Sequence, residues 1–184
     1  MIEAVRSGDH RLARELYERL FLVVDHTLYR VFGRREADHD DLVQAAFEQI
    51  VITLSRRSFA RACSLKTWAS TVTSHVALNA LRSRRRERRV MDRSTELRSD
   101  LGMDTNDPER DAHARGVLDA VRQELAQMRP ERAHAVFLHD VLGHDLAEIA
   151  VMGEITVAAA QSRLVRGRKE LARRLERARM RGGR

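Results

Sequence analysis

The stretch Gly143–Arg168, GHDLAEIAVMGEITVAAAQSRLVRGR, decides the fold. Leu146, Ile149, Ala150 and Met152 recur at helical spacing, Gly153 breaks the run, and Thr156 is placed to cap a second helix. In that second helix Val157, Ala160 and Leu164 share one face, while Gln161, Arg163 and Arg166 lie on others. Small residues where two helices would cross, with polar and basic ones outward, suit a helix-turn-helix whose second helix enters the DNA major groove. An ordinary helical hairpin with a solvated basic face carries the same pattern, so the rest of the chain has to separate the two.

The 184 residues are 43% hydrophobic, with only two Pro and nine Gly to interrupt helices. Good helix formers dominate, so the expected fold class is all-α. A net charge of +7 and a pI near 10.7 favour a polyanionic partner, DNA ahead of a membrane surface. Aromatics at 4% leave little for a base-stacking sheet. A single cysteine, Cys63, excludes an internal disulfide and a thiolate metal cluster, and reads as a small, partly buried residue. No apolar run approaches the ~20 residues of a membrane span. The N-terminus lacks a signal-peptide core, and a cytoplasmic location is expected.

Residues 1–34 read as a short helix ending near Ser7, Gly8 and Asp9. A long helix follows with Leu12, Leu16, Leu20, Val23, Val24, Thr27, Leu28 and Val31 inward, closed by Gly33. Between Arg35 and Arg56 no Lys or Arg occurs, while Glu36, Asp38, Asp40, Asp41 and Glu48 are acidic. Asp38–Asp41 crowd a helix start, where the macrodipole favours negative charge. Leu42, Val43, Ala46, Phe47 and Ile50 form the buried stripe of that helix. The acids mark either a well-capped helix or a docking surface for a basic protein. Residues 56–63 read as a loop. One long helix then carries Leu65, Trp68, Val72, Val76, Asn79 and Leu81 as its stripe. It ends in seven arginines between Arg82 and Arg93, a pattern suited to phosphate contact.

Residues 92–111 are acidic, broken by Gly102, Asn106 and Pro108, and read as a flexible linker. A helix over 109–128 has Val117, Val121, Leu125 and Met128 inward. Pro130 opens the next, in which Ala133, Val136, Phe137 and Val141 pack before Gly143. Ten Lys or Arg follow from Arg163 to Arg184 against Glu170 and Glu176. No phosphate-cradling glycine loop, serine elbow or His-Glu-x-x-His helix is present. His134, His139 and His144 fall about 140° apart round a helix, so neither a metal nor a cofactor is expected, and no enzymatic activity.

In order, DHDDLVQAAF, a Trp68-led helix ending in arginines, an acidic linker, LAQMRPERAHAVFLHDVLGHDLAEIA and SRLVRGR resemble an extracytoplasmic-function sigma factor of bacterial RNA polymerase. The resemblance covers most of residues 8–178. It implies two small helical domains: a region 2-like one over 1–91, a linker over 92–111, and a region 4-like helix-turn-helix over 112–184. Asp38, Asp40, Asp41, Leu42, Gln44 and Phe47 would dock on the polymerase core (β and β′ subunits). Trp68, Ser74, His75, Asn79, Arg82, Arg84 and Arg85 would meet the promoter −10 element. Thr156, Ala159, Gln161, Ser162, Arg163 and Arg166 would meet the −35 element. An anti-sigma protein is a further implied partner. The implied function is that of an alternative sigma factor; the alternative is a sigma-like adaptor or antagonist without promoter reading.

The chain departs from the family pattern at four places. Ala45 stands where a docking Glu is usual. Ser74 and His75 replace an Arg-Asn pair in the Trp68 helix. In the helix-turn-helix the glycine of the turn sits one position early, at Gly153. Ala158–Ala160 replace Gly-Thr-Val, and Gln161 replaces a Lys, although Gln can pair bidentately with adenine.

Overall fold

Scarce breakers and abundant helix formers yield a purely helical structure among the described residues, which are 10–55, 63–91 and 108–182 of a computed structural model. The order is α1 (His10–Phe32), α2 (His39–Ser55), α3 (Leu65–Met91), α4 (Pro108–Leu125), α5 (Pro130–Val136), a π-helical turn (Phe137–Val141), α6 (Leu146–Met152) and α7 (Val157–Gly182). The expected N-terminal short helix, the 56–62 part of the loop and most of the linker lie outside the described residues. α4 begins at Pro108, inside the span assigned to the linker.

α1, α2 and α3 enclose one core, built on Leu16, Leu20, Val24, Leu28, Ile50, Leu54 and Leu78. The stripe of α1 follows the sequence periodicity, and the helix ends at Gly33 with φ +76°, its N–H donating to the Tyr29 carbonyl at 2.6 Å. Ser64 caps α3 by accepting from the Thr67 N–H at 3.0 Å. One charged group sits deep beside this core. Asp25 of α1 meets His39 Nε2 at 2.8 Å and Arg35 Nη2 at 2.9 Å, tying the start of α2 back onto α1. Burial pushes the Asp25 carboxyl up, but the hydrogen bonds from His39 and Arg35 outweigh it and hold the group below its ordinary value.

α4 to α7 form the second half, with Leu125, Met128, Ala133, Val136 and Leu164 in one cluster and Leu138, Ile149, Ala150 and Ala160 in another. Two expected core positions are half-exposed instead: Val117 at 50% and Val141 at 39%. Val141 turns outward because the end of its helix widens to a π turn, closed by the Leu142 N–H donating to the Phe137 carbonyl at 3.1 Å. A complete capping box starts α6: Glu148 N–H donates to Asp145 at 2.7 Å, and Asp145 N–H donates to Glu148 at 3.2 Å. Thr156 caps α7, accepting from the Ala159 N–H at 3.1 Å. α7 crosses α5 at Gly167, where an added Cβ would lie 2.7 Å from Val136 Cγ2 and 2.9 Å from the Arg132 carbonyl.

The turn between α6 and α7 carries the cost of the early glycine. Gly153 has φ −93°, whereas Glu154 takes φ +50°. The left-handed position is therefore filled by a side chain that disfavours it. Glu154→Gly is expected to raise stability by about 0.5–1 kcal/mol, read as a higher thermal midpoint. Gly167→Ala is expected to lower stability by about 1–3 kcal/mol, since backbone and a branched side chain must move. A raised midpoint for Gly167→Ala would show that α5 and α7 are not so closely crossed.

Candidate nucleic-acid and protein interfaces

The acidic face forms as the sequence pattern requires. Asp38, Asp40, Asp41 and Gln44 are exposed at the start of α2, Phe47 is half-buried, and Leu42 belongs to the core. Tyr17 of α1 packs on Phe47 at 4.5 Å between ring centroids and on Phe21 at 5.5 Å, extending the acidic edge with an aromatic patch. Tyr17 is 43% exposed. The patch combines a negative rim with apolar anchors, the make-up of a protein-docking surface.

Two of the assigned faces meet. Arg84 pairs with Asp38 at 2.5 Å and Glu36 at 3.6 Å, and its guanidinium stacks 4.6 Å from the Phe32 ring centroid. An arginine assigned to DNA thus holds an acid assigned to protein docking. Of the other α3 residues, Asn79 is exposed, with its Oδ1 accepting from Arg82 Nη1 at 2.9 Å, and Arg85 is partly exposed. Trp68 is only 7% exposed and packs in the first core.

Ser74 and His75 lie against the second half. The α3 stripe read from the sequence is incomplete, because Ser70, Thr71, Thr73 and Ser74 are also buried. Ser74 Oγ donates to the Thr71 carbonyl at 2.8 Å, so the imidazole N–H of His134 donates to Ser74 Oγ at 2.7 Å. Ser70 Oγ and His144 Nε2 are 3.0 Å apart, and Thr71 donates to Met152 Sδ. The His75 and His134 rings sit 3.4 Å apart. Phe137 of the π turn enters the core of the first half. Arg30 Nη1 donates to the Val141 carbonyl at 2.7 Å, and Arg122 Nε donates to the Val31 carbonyl at 3.0 Å, capping the end of α1. The sequence signal for this seam was Thr67, Ser70, Thr71, Thr73 and Ser74 spaced through one long helix. Hydroxyls at core positions need partners: those of Ser70, Thr71, Thr73 and Ser74 each donate to a carbonyl one turn back on α3, and Ser70 and Ser74 also meet histidines from the second half.

On α7, Gln161 and Arg166 are exposed, and Ala159 and Ser162 are partly exposed. The Thr156 hydroxyl is engaged in capping. Arg163 lines a cavity of about 380 Å³ in the seam, together with Thr71, His75, Glu131, His134 and Met152. Further along, Lys169 and Arg173 are exposed, while Arg168 is held by Asp140. Cys63 is half-buried, and burial first, then the charge of Glu148, pushes its thiol up. Among the described residues no three metal-ligating side chains come together.

An acidic helix beside an arginine-ended helix, followed by a helix-turn-helix, is the architecture that the family comparisons match. Residues 16–87 match sigma-70 region 2 and residues 118–171 match sigma-70, region 4, so the chain belongs to the sigma-70 family, whose members are non-enzymatic transcription factors. The RNA polymerase sigma factor CarQ of Myxococcus xanthus is 29% identical over 171 residues, covering 92% of each chain. The chain is an extracytoplasmic-function sigma factor, an alternative sigma factor that directs transcription initiation. Two solved structures share its fold. CnrH in complex with the cytosolic domain of CnrY has a TM-score of 0.52 and 20% identity over 95% of this chain and 94% of that one. The sigma factor RpoE with the anti-sigma factor NepR, from Bartonella quintana, has a TM-score of 0.51 and 19% identity over 89% and 98%.

The seam makes packing of the halves sensitive to acid. Burial first, then the charge of Arg82, holds His75 below the ordinary 6.5, and burial, then His75, holds His134 well below it. Around them stand Glu131 and Arg163 on the cavity wall, with Arg82 and His144 beyond; of the groups that act on His134, only its hydrogen bond to the Thr71 backbone favours protonation. A depressed histidine pKa means the packed form is favoured while the rings are neutral, and that its advantage is lost as pH falls below 6.5. Urea unfolding is expected to give constant stability above that value and a decline toward about pH 5 that His134→Gln flattens. Stability rising over the same interval would contradict neutral rings in the seam. Ser74→Ala, which removes the side-chain partner of the His134 ring and leaves it the Thr71 backbone, is expected to cost about 1 kcal/mol.

Proposed function

We propose that the chain brings RNA polymerase to its promoters through three separate surfaces, and that the packed arrangement is its resting form. Asp40, Asp41 and Gln44, with the Tyr17–Phe47 patch, dock on the β and β′ subunits of the core. Asn79, Arg82 and Arg85 hold the −10 region, chiefly through phosphates. Gln161, Ser162 and Arg166 enter the −35 major groove, with Arg163 joining them once the seam opens. The region 2-like unit spans 1–91 and the region 4-like unit 112–184, joined by the acidic segment 92–111. The protein acts in the cytoplasm and without catalysis; among the described residues no helix is long and apolar enough to cross a membrane.

The observation that carries the resting-form reading is the burial of Ser74, at 0% exposure, against His134 of the second half, on the helix assigned to the −10 element. Ser74 cannot reach a base while α3 is covered, and Trp68 is packed in the core of its own half. The two solved relatives are each bound to another protein, CnrY in one and the anti-sigma factor NepR in the other. That supports an anti-sigma partner for this chain too, one that holds the halves together. The same burial favours a second reading, a polymerase-binding antagonist that never exposes α3.

Run-off transcription with purified core polymerase on genomic fragments separates the two. Specific start sites are expected. Asp41→Ala should weaken core binding several-fold while leaving promoter choice intact, and Gln161→Ala should do the reverse, reducing −35 binding while sparing core affinity. Tight core binding without any specific transcript would establish the antagonist instead.

A further inference from the structure

Besides the cavity at the histidines, the seam holds a second one of about 310 Å³, at the low end of the roughly 300–1,000 Å³ typical of small-ligand sites. Its walls come from both halves: Arg82, Arg85 and Arg86 of α3, Ala126 and Gln127 after α4, and Arg174 of α7. Positions 82, 85 and 86 are three and four apart and so share one helix face. No carboxylate is among the lining residues. Four guanidinium groups are thus gathered round one hollow, with Arg86 at its solvent-exposed edge.

Arg82 is the telling member. Its Nη1 is satisfied by Asn79, but Nε and Nη2 are buried and meet no acceptor. A guanidinium edge presenting two donors side by side is the geometry that a phosphate oxygen pair accepts. Arg174 is aimed from the far side. Its Nε donates to Glu170 at 3.2 Å, its Nη2 to the Gln127 carbonyl at 3.2 Å, and Glu124 lies 3.6 Å from Nη1. Those partners fix the side chain in place and, through Glu170 and Glu124, offset its charge, so the positive excess at the cavity comes from α3.

We propose that this cavity is a binding site for a compact phosphate-bearing anion, such as pyrophosphate or the polyphosphate end of a nucleotide, which bridges Arg82, Arg85 and Arg86 to Arg174. Bound there, the anion ties region 2 to region 4. It also occupies arginines that would otherwise hold promoter phosphates, so ligand and DNA compete. Arg82 and Arg85 are shared with the proposed −10 contacts, whereas Arg86 and Arg174 lie outside them, so variants at those two positions test the site apart from promoter binding.

The test is isothermal titration of the full-length chain with sodium pyrophosphate, at constant ionic strength set by sodium chloride. Expected is saturable one-to-one binding that Arg174→Gln and Arg86→Gln each weaken at least tenfold. Arg86 is exposed, so its replacement keeps the site testable should Arg174→Gln unfold. Arg179→Gln removes the same charge from an exposed position on α7 and should leave binding unchanged. A nucleoside triphosphate binding more tightly than pyrophosphate assigns the site to nucleotides; the reverse order assigns it to the free anion. Non-saturable uptake, or equal weakening by Arg179→Gln and Arg174→Gln, overturns the proposal. Arg174→Gln should still support specific transcription; absence of promoter-directed transcripts from the unsubstituted chain, with its pyrophosphate binding intact, would count against the promoter reading alone.

Discussion

The hydrogen bond between Ser74 and His134 is the constraint on which the arrangement of this molecule depends. Ser74 is fully buried on α3, a helix that must serve two cores at once. One side of α3 completes the three-helix core with Trp68, Ala69, Ala77 and Leu78. The other presents hydroxyls, which are costly to bury unless paired. His134 and His144 add partners from the second half, and Phe137 crosses the seam to join the apolar cluster of the first half. Polar partners make this contact specific in register. They also suit the opening proposed for this contact on the polymerase.

Electrostatics divides the surface less cleanly than the linear sequence suggests. Acids gather at the start of α2 and arginines at the end of α3, yet Arg84 clamps Asp38 and Glu36 together at the point where the two patches touch. This cluster, stacked on Phe32, ties the start of α2 to α3 within the first half. Asp40 and Asp41 remain exposed for a partner, and the arginine excess is left on α3 beyond Arg84 and along α7. The cluster is largely covered, with Arg84 and Glu36 each 20% exposed, and it sets which charges stay available.

Much of the fold was legible in the sequence because amphipathic periodicity reports a single buried face well. α1, α2 and the helix-turn-helix were readable in that way, as were the Gly33 and Thr156 caps. Periodicity failed where a helix buries two faces, as α3 does, since hydroxyl-bearing residues at 70, 71, 73 and 74 look solvent-facing until their partners are known. The Asp25–His39–Arg35 cluster was missed for the same reason, being a charge inside an apolar stripe. The shifted glycine was visible, but its consequence, a left-handed Glu154, needed the turn geometry. For the interfaces, the sequence pattern names residue types and spacing. Which of them point outward depended on packing: the first core took Trp68, and the contact of one half with the other turned Ser74 and Arg163 inward.

The central claim is that α3 is covered in the free protein and uncovered on the polymerase. It is tested most directly by pulsed electron spin resonance distances between labels at Glu18→Cys on α1 and Lys169→Cys on α7, both exposed, in a Cys63→Ser background. A single short, narrow distance is predicted for the free chain at neutral pH, with a longer one replacing it when core polymerase is added. A long, broad distribution in the free chain, or a short distance that persists on the polymerase, would contradict it.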